Sequence, residues 1–104
     1  MKTIKTSELV DSTLDWAVCV ANGETRKEYL ANPYPYSTNW VFGGPIIERE
    51  GLCLIKTGTV WQCTTNGNAL HSHAKEGPIA LIAAMRCYVA SKLGDTVEVP
   101  EELL

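Results

Sequence analysis

The C-terminal helix predicted from this sequence restricts the fold more than any other feature, because its side chains are almost all apolar or small. Gly77-Pro78 opens the helix, Lys92 lies in its last turn and Gly94 ends it. A helix that is apolar on nearly every side is buried on most sides. In a chain of 104 residues, that burial requires a sheet on one side. The partner on the other side is either the first helix of the chain or a second subunit, and the second alternative predicts a homodimer through the C-terminal helix.

Another helix is predicted near the N-terminus, from Asp11 or Ser12 to Ala21. Its apolar residues recur at i, i+3, i+4 and i+7, which is the spacing of one helix face. Asp11 or Ser12 is expected to cap this helix. Asn22-Gly23 is expected to end it, because glycine tolerates a positive φ.

A β-hairpin is predicted in the centre of the chain. The β-prone runs 52–55 and 60–64 are separated by the turn Lys56-Thr57-Gly58-Thr59. Asn66-Gly67-Asn68 is a second turn signal. A short strand around Ala69-Leu70-His71 would make the sheet three-stranded.

The region between the first helix and the hairpin is predicted to be largely irregular. Residues 24–28 are hydrophilic and resemble an exposed turn, and residues 29–45 combine most of the chain's aromatic residues with several prolines and glycines. Proline and glycine at this density argue against a long regular element. Residues 45–51 begin with proline and end with glycine, which indicates a short helical turn. A strand through Ile46-Ile47 is the alternative.

Together these elements predict one small α+β domain that spans residues 1–104. Its order is a helix, a long aromatic loop, an antiparallel β-hairpin or three-stranded sheet, and a C-terminal helix packed on one face of the sheet. Residues 95–104 carry several acidic side chains and no basic one. We expect them to form a solvated acidic tail.

The charge and the cysteine content narrow the function classes. Nine basic and twelve acidic residues give a net charge of −3, and the basic residues are scattered. Nucleic-acid-binding domains usually show a basic excess or stripe, so nonspecific duplex binding is not expected. No apolar run approaches the ~18 residues that span a bilayer, and residues 1–6 lack the apolar region of a secretion signal. We therefore expect a cytoplasmic protein without a membrane partner, whose four cysteines are reduced thiols.

The aromatic loop is the main candidate for a binding surface. Tyrosine and tryptophan are frequent in binding hot spots, since they combine a rigid apolar ring with a polar tip. The alternative is that these rings fold inwards and complete a small core. The candidate binding residues, in the loop and outside it, are Tyr34, Tyr36, Ser37, Thr38, Asn39, Trp40, Gly43, Gly44, Glu48 and Arg86.

Some of these candidates suggest anion binding. The Gly43-Gly44 turn before a helical segment would present backbone N–H groups to a phosphate, although Pro45 lacks one. Arg86 falls among apolar residues of the C-terminal helix, where a guanidinium needs a carboxylate or carbonyl partner. The candidate carboxylates are Glu48, Glu50 and Asp15. The alternative for Arg86 is a rim arginine whose stem covers the core.

Neither a metal site nor an enzyme active site is predicted, and we expect no cofactor. His71 and His73 would share one face of a strand, and Cys53 and Cys63 would add thiolates, but the spacing matches no zinc-finger or zinc-protease motif. The sequence has no glycine motif for nucleotide binding. No signature of a catalytic nucleophile surrounds any cysteine.

Three segments of the chain resemble the NinX-like proteins of lambdoid phages and prophages. They are Tyr36-Ser37-Thr38-Asn39-Trp40, residues 43–50 and residues 81–94, and the resemblance extends from Leu14 to Leu104. It implies a phage or prophage origin, expression inside an enteric bacterium and an accessory role outside the virion. It implies no activity and assigns no catalytic residue. Family members often have aspartate at the position of Asn39, so the resemblance implies no carboxylate role there.

We therefore expect a small phage accessory protein that binds a host or phage protein. One alternative is a small-ligand or nucleotide-binding protein or enzyme that uses the Gly43-Gly44 turn and Arg86. Another is an RNA-binding domain, because the order of helix, strands and helix is similar in outline to double-stranded-RNA-binding domains. That similarity is an analogy of fold alone, and the lack of a basic cluster argues against it.

Overall fold

The computed structural model describes residues 1–65 and 74–104 of the chain. Short 3₁₀ turns at Thr6–Glu8 and Glu101–Leu103 lie beside the regular elements. The regular elements of the described residues are, in chain order, β1 (Lys2–Lys5), α1 (Asp11–Ala21), α2 (Arg26–Ala31), α3 (Trp40–Glu50), β2 (Cys53–Thr57), β3 (Val60–Thr64), β4 (Lys75–Gly77), α4 (Ala80–Leu93) and β5 (Thr96–Val99).

The central sheet is three-stranded and antiparallel, with the strand order β2-β3-β4. The predicted hairpin is confirmed, and Ile55 pairs with Gln62 across it. Its turn is shorter than predicted, because only Gly58 and Thr59 lie between the strands, and Gly58 has a φ of 64°. The third strand is β4, where Glu76 pairs with Gln62. The strand predicted around Ala69-Leu70-His71 and the turn signal Asn66-Gly67-Asn68 lie outside the described residues.

The C-terminal helix is confirmed as α4, and it packs on the sheet as predicted. It begins at Ala80 and not at Gly77-Pro78, because Gly77 belongs to β4. α4 packs against β3 and β4 of the sheet and against the helices α1 and α3. Leu81, Met85 and Val89 are buried. At Gly77 the sheet approaches so closely that a Cβ atom would lie 2.7 Å from the backbone N of Ala83. The second partner of α4 therefore includes the first helix of the same chain, and a homodimer through α4 stays a prediction.

Helix α2 corrects the predicted exposed turn at residues 24–28. The Thr25 Oγ1 atom accepts a hydrogen bond from the Glu28 N–H at 3.1 Å, and Glu28 Oε1 accepts one from the Thr25 N–H at 3.4 Å. This reciprocal pair is a capping box, which satisfies backbone donors at the start of a helix. The Thr-x-x-Glu spacing was the sequence signal for it.

Helix α3 corrects the predicted aromatic loop, which was expected to be irregular over residues 29–45. The helix begins at Trp40 and continues through both glycines and Pro45 to Glu50. Pro45 has no N–H for the carbonyl of Val41, one helical turn earlier. Val41 is exposed, so water can replace that bond. The helical turn predicted for residues 45–51 is the second half of α3, and the alternative strand through Ile46-Ile47 is wrong.

The segment 95–104 corrects the prediction of a solvated acidic tail. Strand β5 pairs antiparallel with β1 over the register that joins Lys2 to Val99. Val97 and Val99 are buried, whereas Thr96 and Glu98 are exposed. This alternation places every second side chain of β5 in the core. The Trp16 Nε1–H also donates a hydrogen bond to the Glu98 carbonyl at 3.0 Å, which ties α1 to β5.

Candidate functional site

In the aromatic segment, residues 34–42, the rings of Tyr34, Tyr36 and Phe42 pack together towards the interior. The rings of Tyr34 and Phe42 stack with centroids 4.9 Å apart. The Tyr36 ring meets Phe42 nearly edge-on at 6.5 Å. Tyr36 is buried, and Tyr34 and Phe42 are half-buried. These rings therefore follow the alternative in which they fold inwards, and they contribute to the packing of the core.

Ser37 fastens this segment to α1. Its backbone N–H donates a hydrogen bond to Asp15 Oδ1 at 2.8 Å, and the residue is fully buried. Burial raises the pKa of the Asp15 carboxyl, and the hydrogen bonds from Ser37 oppose that rise. The carboxylate therefore serves as an anchor for the turn before α3.

Gly43 lies where α3 meets both Tyr36 and α4. A Cβ atom at Gly43 would fall against the Tyr36 carbonyl oxygen and 2.5 Å from Leu81 Cδ1, so only glycine fits without a shift. The Gly43 N–H already donates to the Asn39 carbonyl at 3.1 Å. The prediction of an anion-binding turn at Gly43-Gly44 is therefore wrong, because these residues lie inside a helix.

Residues 38–41, which lie between the packed rings of Tyr36 and Phe42, face outwards. Thr38 and Asn39 are exposed, Trp40 is 54% exposed and Val41 is 73% exposed. Asn39 caps α3, since its Oδ1 atom accepts a hydrogen bond from the Val41 N–H at 2.9 Å. We call the residues Asn39, Trp40 and Val41 the Trp40 edge. It is an apolar surface held on the first turn of a packed helix.

A second site joins the C-terminal ends of α1, α3 and α4, and sequence reasoning missed it. It is an open cleft of about 410 Å³, here named the three-helix cleft. Its lining residues are Ala21, Asn22, Glu24, Arg49, Glu50, Tyr88 and Lys92. Cations are favourable at helix C-termini, and Arg49 and Lys92 each lie in the last turn of a helix.

The polar groups of the three-helix cleft form a connected network around the Tyr88 hydroxyl. That hydroxyl donates to Asn22 Oδ1 at 2.6 Å and accepts from Arg49 Nη2 at 3.1 Å. Arg49 Nη2 also reaches Asn22 Oδ1 at 3.2 Å. Glu50 lies between the two cations, since it accepts from Arg49 Nε at 3.0 Å and lies 3.3 Å from Lys92 Nζ.

Contacts in and beside the three-helix cleft shift the pKa values of Glu50 and Tyr36. The hydrogen bond from Arg49 is the main cause that lowers the pKa of Glu50, with Lys92 adding to it. Glu24, which also lines the cleft, accepts a hydrogen bond from the Tyr36 hydroxyl on Oε2 at 3.2 Å. Burial, followed by the charge of Glu24, raises the pKa of Tyr36 to about 12. Tyr36 therefore stays a neutral hydrogen-bond donor near neutral pH.

The family model described as Bacteriophage P22, NinX matches residues 27–92. The chain belongs to the phage P22 NinX family. No curated protein matches the chain. The match confirms the resemblance drawn from the sequence, and it includes the Trp40 edge and most of the three-helix cleft. Asn22 and Glu24 precede the matched residues of this NinX family member.

Arg86 lies apart from the aromatic segment of this NinX family member. Its Nε donates to the Leu9 carbonyl at 2.9 Å and its Nη1 to the Glu76 carbonyl at 2.8 Å. The partners are thus backbone carbonyls and none of the predicted carboxylates, and burial lowers the pKa of Arg86. Arg86 and Leu81, which packs on Gly43, are about 140° apart around α4. The predicted small-ligand site of Gly43-Gly44 and Arg86 is therefore not assembled.

The remaining predicted candidates are dispersed. Glu48 is exposed on α3, and Gly44 is half-buried beneath the Trp40 indole, where a Cβ atom would lie 3.8 Å from Trp40 Cε3. His71 and His73 lie outside the described residues. Within residues 1–65 and 74–104, no three histidine, cysteine or acidic side chains are grouped as metal ligands. No helix in these ranges is long and apolar enough to cross a membrane.

All four cysteines carry free thiols. Cys63 on β3 and Cys87 on α4 are both buried. Hydrogen bonding to the Cys87 thiol, together with burial, raises the pKa of Cys63. The same hydrogen bond lowers the pKa of Cys87. This pair lies between the sheet and the helix and touches neither the Trp40 edge nor the lining of the three-helix cleft.

Proposed function

We propose that this phage-family protein acts by binding another protein, from the host or the phage, in the bacterial cytoplasm through the Trp40 edge. The observation that carries the proposal is the exposure of Trp40 and Val41 side by side at the start of α3. Neighbouring exposed apolar side chains form a patch that a partner can cover.

The support beneath the Trp40 edge favours this use. Asn39 caps the helix that carries it, and Gly43 locks the same helix against Tyr36 and Leu81. A side chain on a fixed helix loses less conformational freedom on binding than one on a mobile loop. Tryptophan is among the residues that contribute most to binding energy when a partner buries them. We therefore infer that the partner has an apolar pocket for the Trp40 indole.

The experiment compares two exposed apolar residues of equal exposure on different faces. Trp40 is 54% exposed on α3, and Ile55 is 55% exposed on β2. Tagged wild-type, Trp40→Ala and Ile55→Ala proteins are used for capture from nuclease-treated lysates of uninfected and phage-induced bacteria. The captured protein is then purified, and its affinity for each variant is measured.

The proposal expects one protein that binds wild type and Ile55→Ala alike and Trp40→Ala at least about tenfold more weakly. Equal binding by Trp40→Ala would place the interaction elsewhere, and no captured protein in either lysate would count against a binding function. Parallel captures from the same lysates without nuclease treatment serve as a comparison, and capture seen only in these untreated lysates would instead support the RNA-binding alternative.

A further inference from the structure

The three-helix cleft contains donors that its own network does not use. Arg49 donates hydrogen bonds from Nε to Glu50 and from Nη2 to Asn22 and Tyr88. Among the described residues, no acceptor is hydrogen-bonded to Arg49 Nη1. Lys92 Nζ lies 3.3 Å from Glu50 Oε1 and 6.0 Å from the centroid of the Tyr88 ring, and Glu50 is its only ion-pair partner among the described residues. The Arg49 and Lys92 side chains are 53% and 45% exposed, so their remaining N–H groups reach solvent in the cleft.

Another part of the cleft is an acceptor. Glu24 follows the C-terminal end of α1 and receives the Tyr36 hydroxyl on Oε2. The C-terminal end of a helix carries a partial negative charge. At α1 it adds to the charge of the Glu24 carboxylate, whereas at α3 and α4 the cations Arg49 and Lys92 offset it. Glu50 offers no comparable site, because Arg49 and Lys92 already occupy its two oxygens.

This division of charge selects the kind of ligand. A simple anion would approach Arg49 and Lys92 but also face Glu24, and a simple cation would meet the reverse conflict. A small zwitterion, which carries a carboxylate and an ammonium group in one molecule, satisfies both parts of the cleft. The volume of about 410 Å³ lies within the range of small-molecule sites.

We propose that the three-helix cleft binds a free α-amino acid. The carboxylate of the ligand accepts hydrogen bonds from Arg49 Nη1 and Lys92 Nζ, and its ammonium group donates to the Glu24 carboxylate. Arginine suits this role because a hydrogen bond from a charged N–H donor to a carboxylate is stronger than one between neutral groups. The hydrogen bonds among Asn22, Arg49 and Tyr88 hold the guanidinium in place, so binding requires no rearrangement of the network.

The first test adds each proteinogenic L-amino acid separately at millimolar concentration and measures the melting temperature and the backbone amide NMR spectrum. The proposal expects at least one amino acid to raise the melting temperature saturably and to shift the amides of Asn22, Arg49 and Lys92. The methyl ester and the N-acetyl derivative of that amino acid should each bind at least about tenfold more weakly.

Matched variants locate the site. Lys92→Gln and Glu24→Gln should each weaken binding at least about tenfold, whereas Lys56→Gln and Glu48→Gln, at exposed positions outside the cleft, should leave it unchanged. Trp40→Ala should also leave amino-acid binding unchanged, so failure here is distinct from failure of the Trp40 edge. The proposal is wrong if no amino acid binds, if the methyl ester or the N-acetyl derivative binds as tightly as the free amino acid, or if Lys92→Gln behaves like Lys56→Gln.

Discussion

Tyr36 and Trp40 lie four residues apart in one aromatic segment, yet the structure uses them in opposite ways. Tyr36 is 8% exposed and its hydroxyl is hydrogen-bonded to Glu24, whereas Trp40 is 54% exposed. The separation arises between them, where the Ser37 N–H binds Asp15 and the chain then enters α3. Local anchoring therefore decides which ring packs in the core and which remains available to a partner.

The largest expected effect is a difference between two adjacent glycines, Gly43 at the close contact with Tyr36 and Leu81 and Gly44 beneath the Trp40 ring. Gly43→Ala should destabilise the protein by about 3 kcal/mol, because the new methyl group meets the Tyr36 carbonyl and Leu81. Gly44→Ala should change stability by no more than about 1 kcal/mol and in the stabilising direction, since alanine favours helix and the Trp40 ring leaves room. Urea unfolding of both variants checks this, and equal losses would contradict the close approach at Gly43.

The buried ring should respond more than the exposed one. Tyr36→Phe removes the hydroxyl that donates to Glu24 and should lower the free energy of unfolding by about 1–2 kcal/mol. In a domain of this size that is roughly a 4–15 °C fall in melting temperature. Trp40→Ala should change stability by less than about 1 kcal/mol. Calorimetry distinguishes the two variants. A large loss of stability in Trp40→Ala would show that the Trp40 ring contributes to the core.

Removing the side-chain cap of α3 tests whether partner binding through the Trp40 edge requires an ordered helix start. Asn39→Ala removes the acceptor for the Val41 N–H and should cost about 1 kcal/mol of stability. Since fraying of the first turn also loosens Trp40, partner affinity should fall even though the indole is intact. Asn39→Asp keeps an acceptor at the cap and serves as the control. Full affinity in Asn39→Ala would show that the fixed helix start is not needed.

The smallest expected effect concerns the carboxylates of Asp15 and Glu50, whose contributions to the free energy of unfolding should depend on pH with opposite signs. Burial raises the pKa of Asp15, so the folded protein binds its proton more readily, and this contribution to stability falls as pH rises through that pKa. Arg49 lowers the pKa of Glu50, whose contribution is present above its ordinary pKa and is lost as pH falls.

Chemical unfolding from acid to neutral pH checks these signs in Asp15→Asn and Glu50→Gln. Relative to wild type, Asp15→Asn should become more favourable as pH rises, and Glu50→Gln should become less favourable. Slopes of the same sign would contradict the opposite environments of the two carboxylates.

The fold was predictable where one periodicity governs a segment. The apolar spacing of α1, the nearly all-apolar α4 and the β-prone runs of the hairpin all appear as predicted. Helix α3 was missed since Gly43, Gly44 and Pro45 disfavour helix locally, and packing against Leu81 overrides that preference. Strand β5 was missed because acidic side chains concealed the alternation of Val97 and Val99.

The candidate sites were predictable only in part. The sequence indicated an aromatic surface, but it did not separate Tyr36 from Trp40, because burial depends on the tertiary hydrogen bond between Ser37 and Asp15. The three-helix cleft had weaker signals. Arg49 and Lys92 each precede a glycine that ends a helix, but their meeting around Tyr88 depends on how α3 and α4 pack. No local pattern contains that information.

The most direct test of the account measures stability and partner affinity together in Tyr36→Phe and Trp40→Ala. The account predicts that Tyr36→Phe melts at a lower temperature but binds the partner like wild type. It predicts that Trp40→Ala melts like wild type but binds at least about tenfold more weakly. The reverse pattern, with affinity lost in folded Tyr36→Phe and kept in Trp40→Ala, would contradict the assignment of the two rings.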